Sequence, residues 1–167
     1  DYTKRNENCC TAVQLVSGDT APLVNALGGG NSIAIPADPF ARVAYSNRGT
    51  EQKIEDRGIS AEVNWTTPWL GNATLTSITA LREWQSINGR DFDFTAADIL
   101  YSNPQRNASF SGFDTLSQEF RLTGSTDSVD WMVGMFYAKE DIDRIESHNM
   151  GWAYEPHLRA LVRPAVL

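Results

Sequence analysis

Residues Ile59 to Thr66, Ile-Ser-Ala-Glu-Val-Asn-Trp-Thr, alternate between apolar and polar without a break. Successive side chains point to opposite faces only in extended chain, so this segment is expected to be a strand with one apolar and one polar face. Thr67-Pro-Trp-Leu-Gly-Asn72 follows and has the residues of a compact turn. Ala73–Trp84 is Thr-rich and compatible with a second strand, but its alternation is broken and its faces stay unassigned.

The pattern recurs further on. Over Leu116–Thr123, Leu116, Phe120 and Leu122 fall on one face, and Ser117, Glu119, Arg121 and Thr123 on the other, with Gln118 as the exception. Gly124–Ser128 reads as a short turn. Trp131–Ala138 then places Trp131, Val133, Met135 and Tyr137 on one face, with Met132, Gly134, Phe136 and Ala138, apolar or small, on the other. Two antiparallel hairpins are expected, with their turns at 67–72 and 124–128 at the same end of the sheet. The remainder reads as long connections. Residues 1–40, with Gly28-Gly29-Gly30, Pro36 and Pro39, form one; its composition fits a loop and an interdomain linker equally. The Gly triplet lacks the Gly-Lys-Ser/Thr ending of a phosphate loop. Residues 86–113 form a second, and 142–167 a third, with one short helix expected over Pro156–Val162.

Charge and cysteine content remove several classes of function. The 167 residues carry 14 Lys+Arg against 21 Asp+Glu, a formal net charge of -7. Nucleic-acid binders and polybasic membrane-surface modules need the opposite balance. Apolar residues make up 41% of the chain, too many for a disordered one. The two cysteines, Cys9 and Cys10, are adjacent, which excludes a disulfide scaffold and a four-cysteine zinc site. The longest uncharged stretch, Val63–Leu81, is 19 residues. Its Thr, Asn and Ser content, with Pro68 and Gly71, excludes a membrane helix and leaves a membrane β-hairpin open. The chain starts at Asp1 without a charged-then-apolar leader, so a processed end, a trimmed end or an internal cut is expected there.

Short turns at one end and long loops at the other are the pattern of an outer-membrane barrel, whose strands are apolar outward and polar inward. A soluble β-sandwich also alternates, without that asymmetry of connections. Trp65, Trp69 and Trp131 flank the short turns, and Trp84 and Tyr137 lie about one membrane thickness away. In a barrel these would form two interfacial girdles; in a sandwich they would be core aromatics.

Thr115-Leu-Ser-Gln-Glu-Phe-Arg-Leu-Thr-Gly124 followed by Asp130-Trp-Met-Val-Gly-Met-Phe-Tyr137 resembles a barrel hairpin of TonB-dependent outer-membrane receptors. Ala73-Thr-Leu-Thr-Ser-Ile-Thr-Ala-Leu-Arg82 with Asp91-Phe-Asp-Phe-Thr95 does so as well, and together the resemblance covers roughly 57–141. It implies an all-β fold of antiparallel transmembrane barrel strands with long extracellular loops, located in the bacterial outer membrane. It further implies import of a scarce small-molecule ligand (siderophore, haem, cobalamin or sugar), coupled to the TonB complex through a plug region, and no enzymatic activity. The chain holds about four such strands within 41–141, no plug, no TonB box and no terminal aromatic assembly signal, so a mid-barrel piece of a longer receptor is expected. Four strands close no lumen, and open edges are not tolerated in lipid. A secreted soluble β-sandwich binding module is the alternative, and a porin-like or adhesin-like barrel without TonB coupling a third.

The candidate site residues follow from this reading. Glu62, Ser117, Glu119, Arg121 and Thr123 are expected to face the lumen as contacts for a plug, or as a wall-stiffening ladder. Cys9 and Cys10 admit a vicinal disulfide, a reduced pair or bridges to other parts of the protein, and the oxidising cell surface favours an oxidised state. No cofactor is expected, although Asp91, Asp93 and Asp98 are oxygen donors of the kind that hold Ca²⁺ in an outer loop. His148 and His157 are the only histidines and lack the surroundings of a haem ligand or a catalytic base. Three Asn-x-Ser/Thr sequons, at Asn64, Asn72 and Asn107, are attributed to chance.

Overall fold

The computed structural model describes residues 1–8 and 10–162. The fold is all-β with antiparallel sheets. The main sheet has five strands: β1 (Tyr2–Asn8), β2 (Glu51–Thr66), β3 (Thr74–Asn88), β6 (Ser109–Ser125) and β7 (Asp130–Glu146). Their order is β1-β2-β3-β6-β7, with β1 and β7 at the two edges. A second sheet of three short strands, β4 (Arg90–Asp91), β5 (Leu100–Ser102) and β8 (Asn149–Met150), has the order β4-β5-β8. The described residues also form two helices, α1 (Ala21–Leu27) and α2 (Tyr154–Val162), with a 3₁₀ turn at Pro39–Ala41. Among the described residues no helix is long and apolar enough to cross a membrane, which does not bear on crossing by strands.

Both expected hairpins are present. β2 and β3 join through 67–72, where Leu70, Asn72 and Gly71 all take positive φ (51°, 60° and 70°), and the Thr67 N–H donates to Ala73 O at 2.8 Å. β6 and β7 join through 126–129, closed by the Thr126 N–H on Val129 O. A Cβ on Gly71 would lie 3.4 Å from Ser125 O, so the two turns are neighbours at one end, as their spacing implies.

The strands are longer than their alternation indicates. β2 begins at Glu51, β6 at Ser109, and β7 runs on to Glu146. In these extensions charged and polar residues fall on both faces, and the apolar ones are isolated (Ile54) or on opposite faces (Phe110 and Phe113, Ile142 and Ile145), so the two-residue period disappears while the backbone ladder continues. Residues 1–40, read as a loop, contain β1 and α1. The sequence of β1, Tyr-Thr-Lys-Arg-Asn-Glu-Asn, has no apolar face and gives no signal. α1 spans only seven residues, too few for a helical period to stand out. The Gly triplet is its stop: the Gly28 N–H donates to Val24 O, the Gly30 N–H to Asn25 O, and Gly29 and Gly30 take φ of 83° and 92°. Residues 86–113, also read as a loop, contain β4 and β5, and β8 lies within 142–167. The expected helix over Pro156–Val162 is α2, which starts two residues earlier.

The chain divides into two compact units. The first comprises 1–4, 54–85 and 111–143, and the second 5–53, 86–110 and 144–167. The first is a single layer of sheet, in which Thr67, Ala73 and Gly112 are the buried residues. The second has a small core of Ala21, Val24, Ala97, Ala108, Phe110 and Ala153, with α1 packed against α2.

Candidate functional site

Cross-strand contacts fix which side chains share a face of the first unit. Thr66 meets Thr74 and Asn64 meets Thr76, while Arg57 meets Glu83, so β2 and β3 run antiparallel with side chains of equal parity facing the same way. Thr79 meets Gln118, and Trp84 stacks on Phe113, which sets β6 against β3. Thr115 meets Glu140, and Trp131 lies over Gly124, which sets β7 against β6.

One face then collects Ile59, Ala61, Val63 and Trp65 from β2, and Leu75 and Leu81 from β3. β6 adds Leu116, Phe120 and Leu122, and β7 adds Trp131, Val133, Met135 and Tyr137. This face is uncovered: Ile59 is 71% exposed, Val63 63% and Val133 67%. From Ile59 to Trp65 the band extends about 20 Å along the strand. Covering each Val, Leu, Ile, Phe or Met there with an apolar medium gains roughly 1.5–3 kcal/mol. Gln118 interrupts the alternation of β6, and its polar atoms are engaged within the sheet. Its Oε1 accepts from Thr79 Oγ1 at 2.5 Å, and its Nε2 donates to Ser77 Oγ and Ile78 O at 3.1 Å. A polar group in an apolar band is tolerated when it is satisfied in this way.

The opposite face carries all five lumen candidates. Glu62 Oε1 accepts from Asn64 Nδ2 at 2.7 Å, and Thr76 Oγ1 donates to Asn64 Oδ1 at 2.6 Å. Glu119 and Arg121 form an ion pair at 2.9 Å, close in distance though the Nε–H is not aligned for a hydrogen bond. Thr123 Oγ1 donates to Thr74 O, and Ser117 shares the face. Arg82, bonded to both oxygens of Asp56, and Glu140, accepting from Thr115 at 3.1 Å, belong to the same face and were missed by the local pattern.

The aromatic positions are corrected in one case. Trp65 and Trp69 pack edge to face at 5.8 Å beside the first turn, and Trp131 lies beside the second. Tyr137 is on the apolar face, but Trp84 is not. It shares the parity of Thr76 and Arg82 and stacks on Phe113 at 5.0 Å, on the polar face. It therefore cannot belong to an outward girdle. The broken alternation of β3 hid this; only its register against β6 reveals it.

In the second unit the three aspartates serve the loop itself. Asp93 accepts from Thr95 Oγ1 and from the N–H groups of Thr95, Ile99 and Leu100. Asp91 accepts from Ser46 Oγ, Asn47 N and Phe94 N. Asp98 accepts from Arg48 Nε and Nη2 at 2.7–2.9 Å and from Trp152 N. Arg48 also lies 3.8 Å over the Tyr101 ring. Among the described residues no three His, Cys, Asp or Glu side chains converge on a metal position. His148 packs on Phe92 at 4.7 Å, and His157 lies on α2. Cys10 is disulfide-bonded, with φ of 70°; Cys9 lies outside the described residues.

Asp91 and Asp98 respond to acid in opposite senses. Burial, then the charge of Asp93, pushes Asp91 above the usual carboxylate range. Burial acts the same way on Asp98, but the donors Arg48, Asn47 and Trp152 outweigh it and hold Asp98 below that range. A depressed carboxylate contributes stability above its unfolded pKa and loses it as pH falls through its folded value; a raised one contributes below its unfolded value and loses it as pH rises. Asp98→Ala should therefore loosen segment 42–50 at neutral pH by about 2 kcal/mol, whereas Asp91→Asn should cost little or stabilise. Hydrogen exchange across 42–50 at pH 7 and pH 3 measures both. Gly151→Ala should be as disruptive as Asp98→Ala in the same assay, because its Cβ would meet Asp98 O at 2.1 Å.

No protein-family model, curated protein or solved structure matches this chain.

Proposed function

We propose that the main sheet is part of the wall of an outer-membrane β-barrel of the TonB-dependent receptor class. The observation that carries the proposal is the uncovered apolar face on four neighbouring strands, backed by a face of Glu, Arg, Asn, Thr and Ser on β2, β3 and β6 that on β7 also carries Met132 and Phe136. In lipid the apolar band is solvated by acyl chains, and the opposite face looks into the lumen. The two tight turns at one end support the same orientation, as periplasmic turns. The edges β1 and β7 would pair with further strands, since unpaired N–H and C=O groups are costly in hydrocarbon.

On this reading Glu62, Ser117, Glu119, Arg121 and Thr123 line the lumen and contact a plug. The partners are outer-membrane lipid, a small-molecule ligand and the TonB complex. The role is transport, not catalysis. The receptor class rests on the resemblance of 115–124 and 130–137, and a soluble sandwich is the competing architecture. The test is fractionation of the producing bacterium, with gel migration before and after boiling. The proposal expects the protein in the outer membrane, with a faster-migrating unboiled form and ligand uptake that stops when TonB is deleted. Recovery as a soluble periplasmic or secreted species would overturn it. Outer-membrane insertion with TonB-independent function would leave a porin-like barrel.

A further inference from the structure

The polar face of the first unit has a charge pattern that selects among ligands. Its two guanidiniums are already neutralised: Arg82 by Asp56, and Arg121 by Glu119. Its other carboxylates accept only from neutral donors, Glu62 from Asn64, Asp130 from Ser125 and Glu140 from Thr115. Among the described residues, then, this face offers surplus negative charge, and each of its side-chain cations is paired with a carboxylate. A polyanionic ligand brought against it meets like charge, which disfavours its binding.

The same face holds an aromatic pair. Trp84 and Phe113 stack at 5.0 Å with an interplanar angle of 17°, and both are half-buried. One strand step along, on the same face, lie Arg82 with Asp56, and Thr115 with Glu140. Aromatic rings flanked by planar carboxylate and guanidinium groups suit a ligand with C–H faces and many hydroxyls. The outer surfaces of the stacked pair, those the two rings do not turn to each other, take the apolar face, and Asp56, Glu140 and Arg82 exchange hydrogen bonds with the rim.

We infer that this part of the polar face binds an uncharged polyhydroxylated ligand of the oligosaccharide class, with Trp84 and Phe113 as its stacking platform and Glu140 as a hydroxyl acceptor. The inference rests on the receptor reading above and narrows its ligand away from anionic ferric complexes.

The experiment uses the detergent-purified protein and titration calorimetry. The probes are a panel of neutral hexasaccharides (malto-, cello-, xylo- and chito-series) and one trianionic ferric tris-catecholate complex. At least one hexasaccharide should bind saturably, with affinity unchanged between low and high salt, and the ferric complex should not bind. Trp84→Ala should weaken the saccharide about tenfold, the loss of one aromatic contact. Glu140→Gln, which keeps shape and disturbs folding less, should weaken it as well. Binding of the ferric complex that tightens at low salt would overturn the inference. So would a panel in which no saccharide binds, or saccharide binding that both variants leave intact. None of these outcomes changes whether the protein inserts in the outer membrane, so failure here is separable from failure of the receptor reading.

Discussion

Produced in water without detergent, the 167-residue chain is expected to aggregate and to give no monodisperse monomer. The first unit is one sheet thick, and its apolar side chains on four strands have nothing packed over them. Patches of that extent drive association. The edge strand β7, 17 residues long and exposed over nearly its whole length, adds a row of backbone groups ready to pair with another chain. Size-exclusion chromatography and urea unfolding decide the matter. Aggregates dispersed by detergent are the expected outcome; a sharp two-state transition of a monomer would mean that the apolar face finds a core, as in a soluble sandwich.

The second large effect separates two adjacent residues. Leu122→Arg should abolish most of the folded protein in the membrane, and Arg121→Leu should not. Leu122 belongs to the apolar face and Arg121 to the opposite one. An arginine facing lipid costs on the order of 2–4 kcal/mol at the midplane and less toward the interface. Arg121 is half-exposed and ion-paired with Glu119, and its replacement forfeits about 1 kcal/mol or less. The fraction of protein that keeps its unboiled gel migration measures both. Equal losses from the two changes would contradict the assignment of faces.

The parts of this fold that could be read from sequence are those where lipid-like and water-like faces alternate. Ile59–Thr66 and Leu116–Thr123 show their faces because one side of each strand is apolar and the other polar. Their extensions toward Glu51 and Ser109 do not, since polar residues occupy both faces there and the apolar ones, Ile54 in the first and Phe110 and Phe113 in the second, follow no two-residue period. β1 was silent for the same reason. Gln118 looked like an error in the pattern. The structure explains it by Thr79 and Ser77 on the next strand, partners about 40 residues away in sequence. Trp84 was assigned by its distance from the turn, whereas its side is set by pairing with Phe113. The pairing of Arg48 with Asp98, 50 residues apart, likewise has no local trace. The five lumen candidates were found because they sit on short periodic segments. Glu140 and Arg82 were missed because they lie where that periodicity fades.

Accessibility on the two faces of one strand tests the central claim most directly. Spin labels placed singly at Val63 and Asn64, with Cys9 and Cys10 replaced by serine, would be compared in the bilayer-reconstituted protein. The account predicts that the label at 63 is relaxed by oxygen, which partitions into acyl chains, and not by a water-soluble nickel chelate, with the reverse at 64. A label at 63 shielded from both reagents, as in a packed protein core, would contradict it.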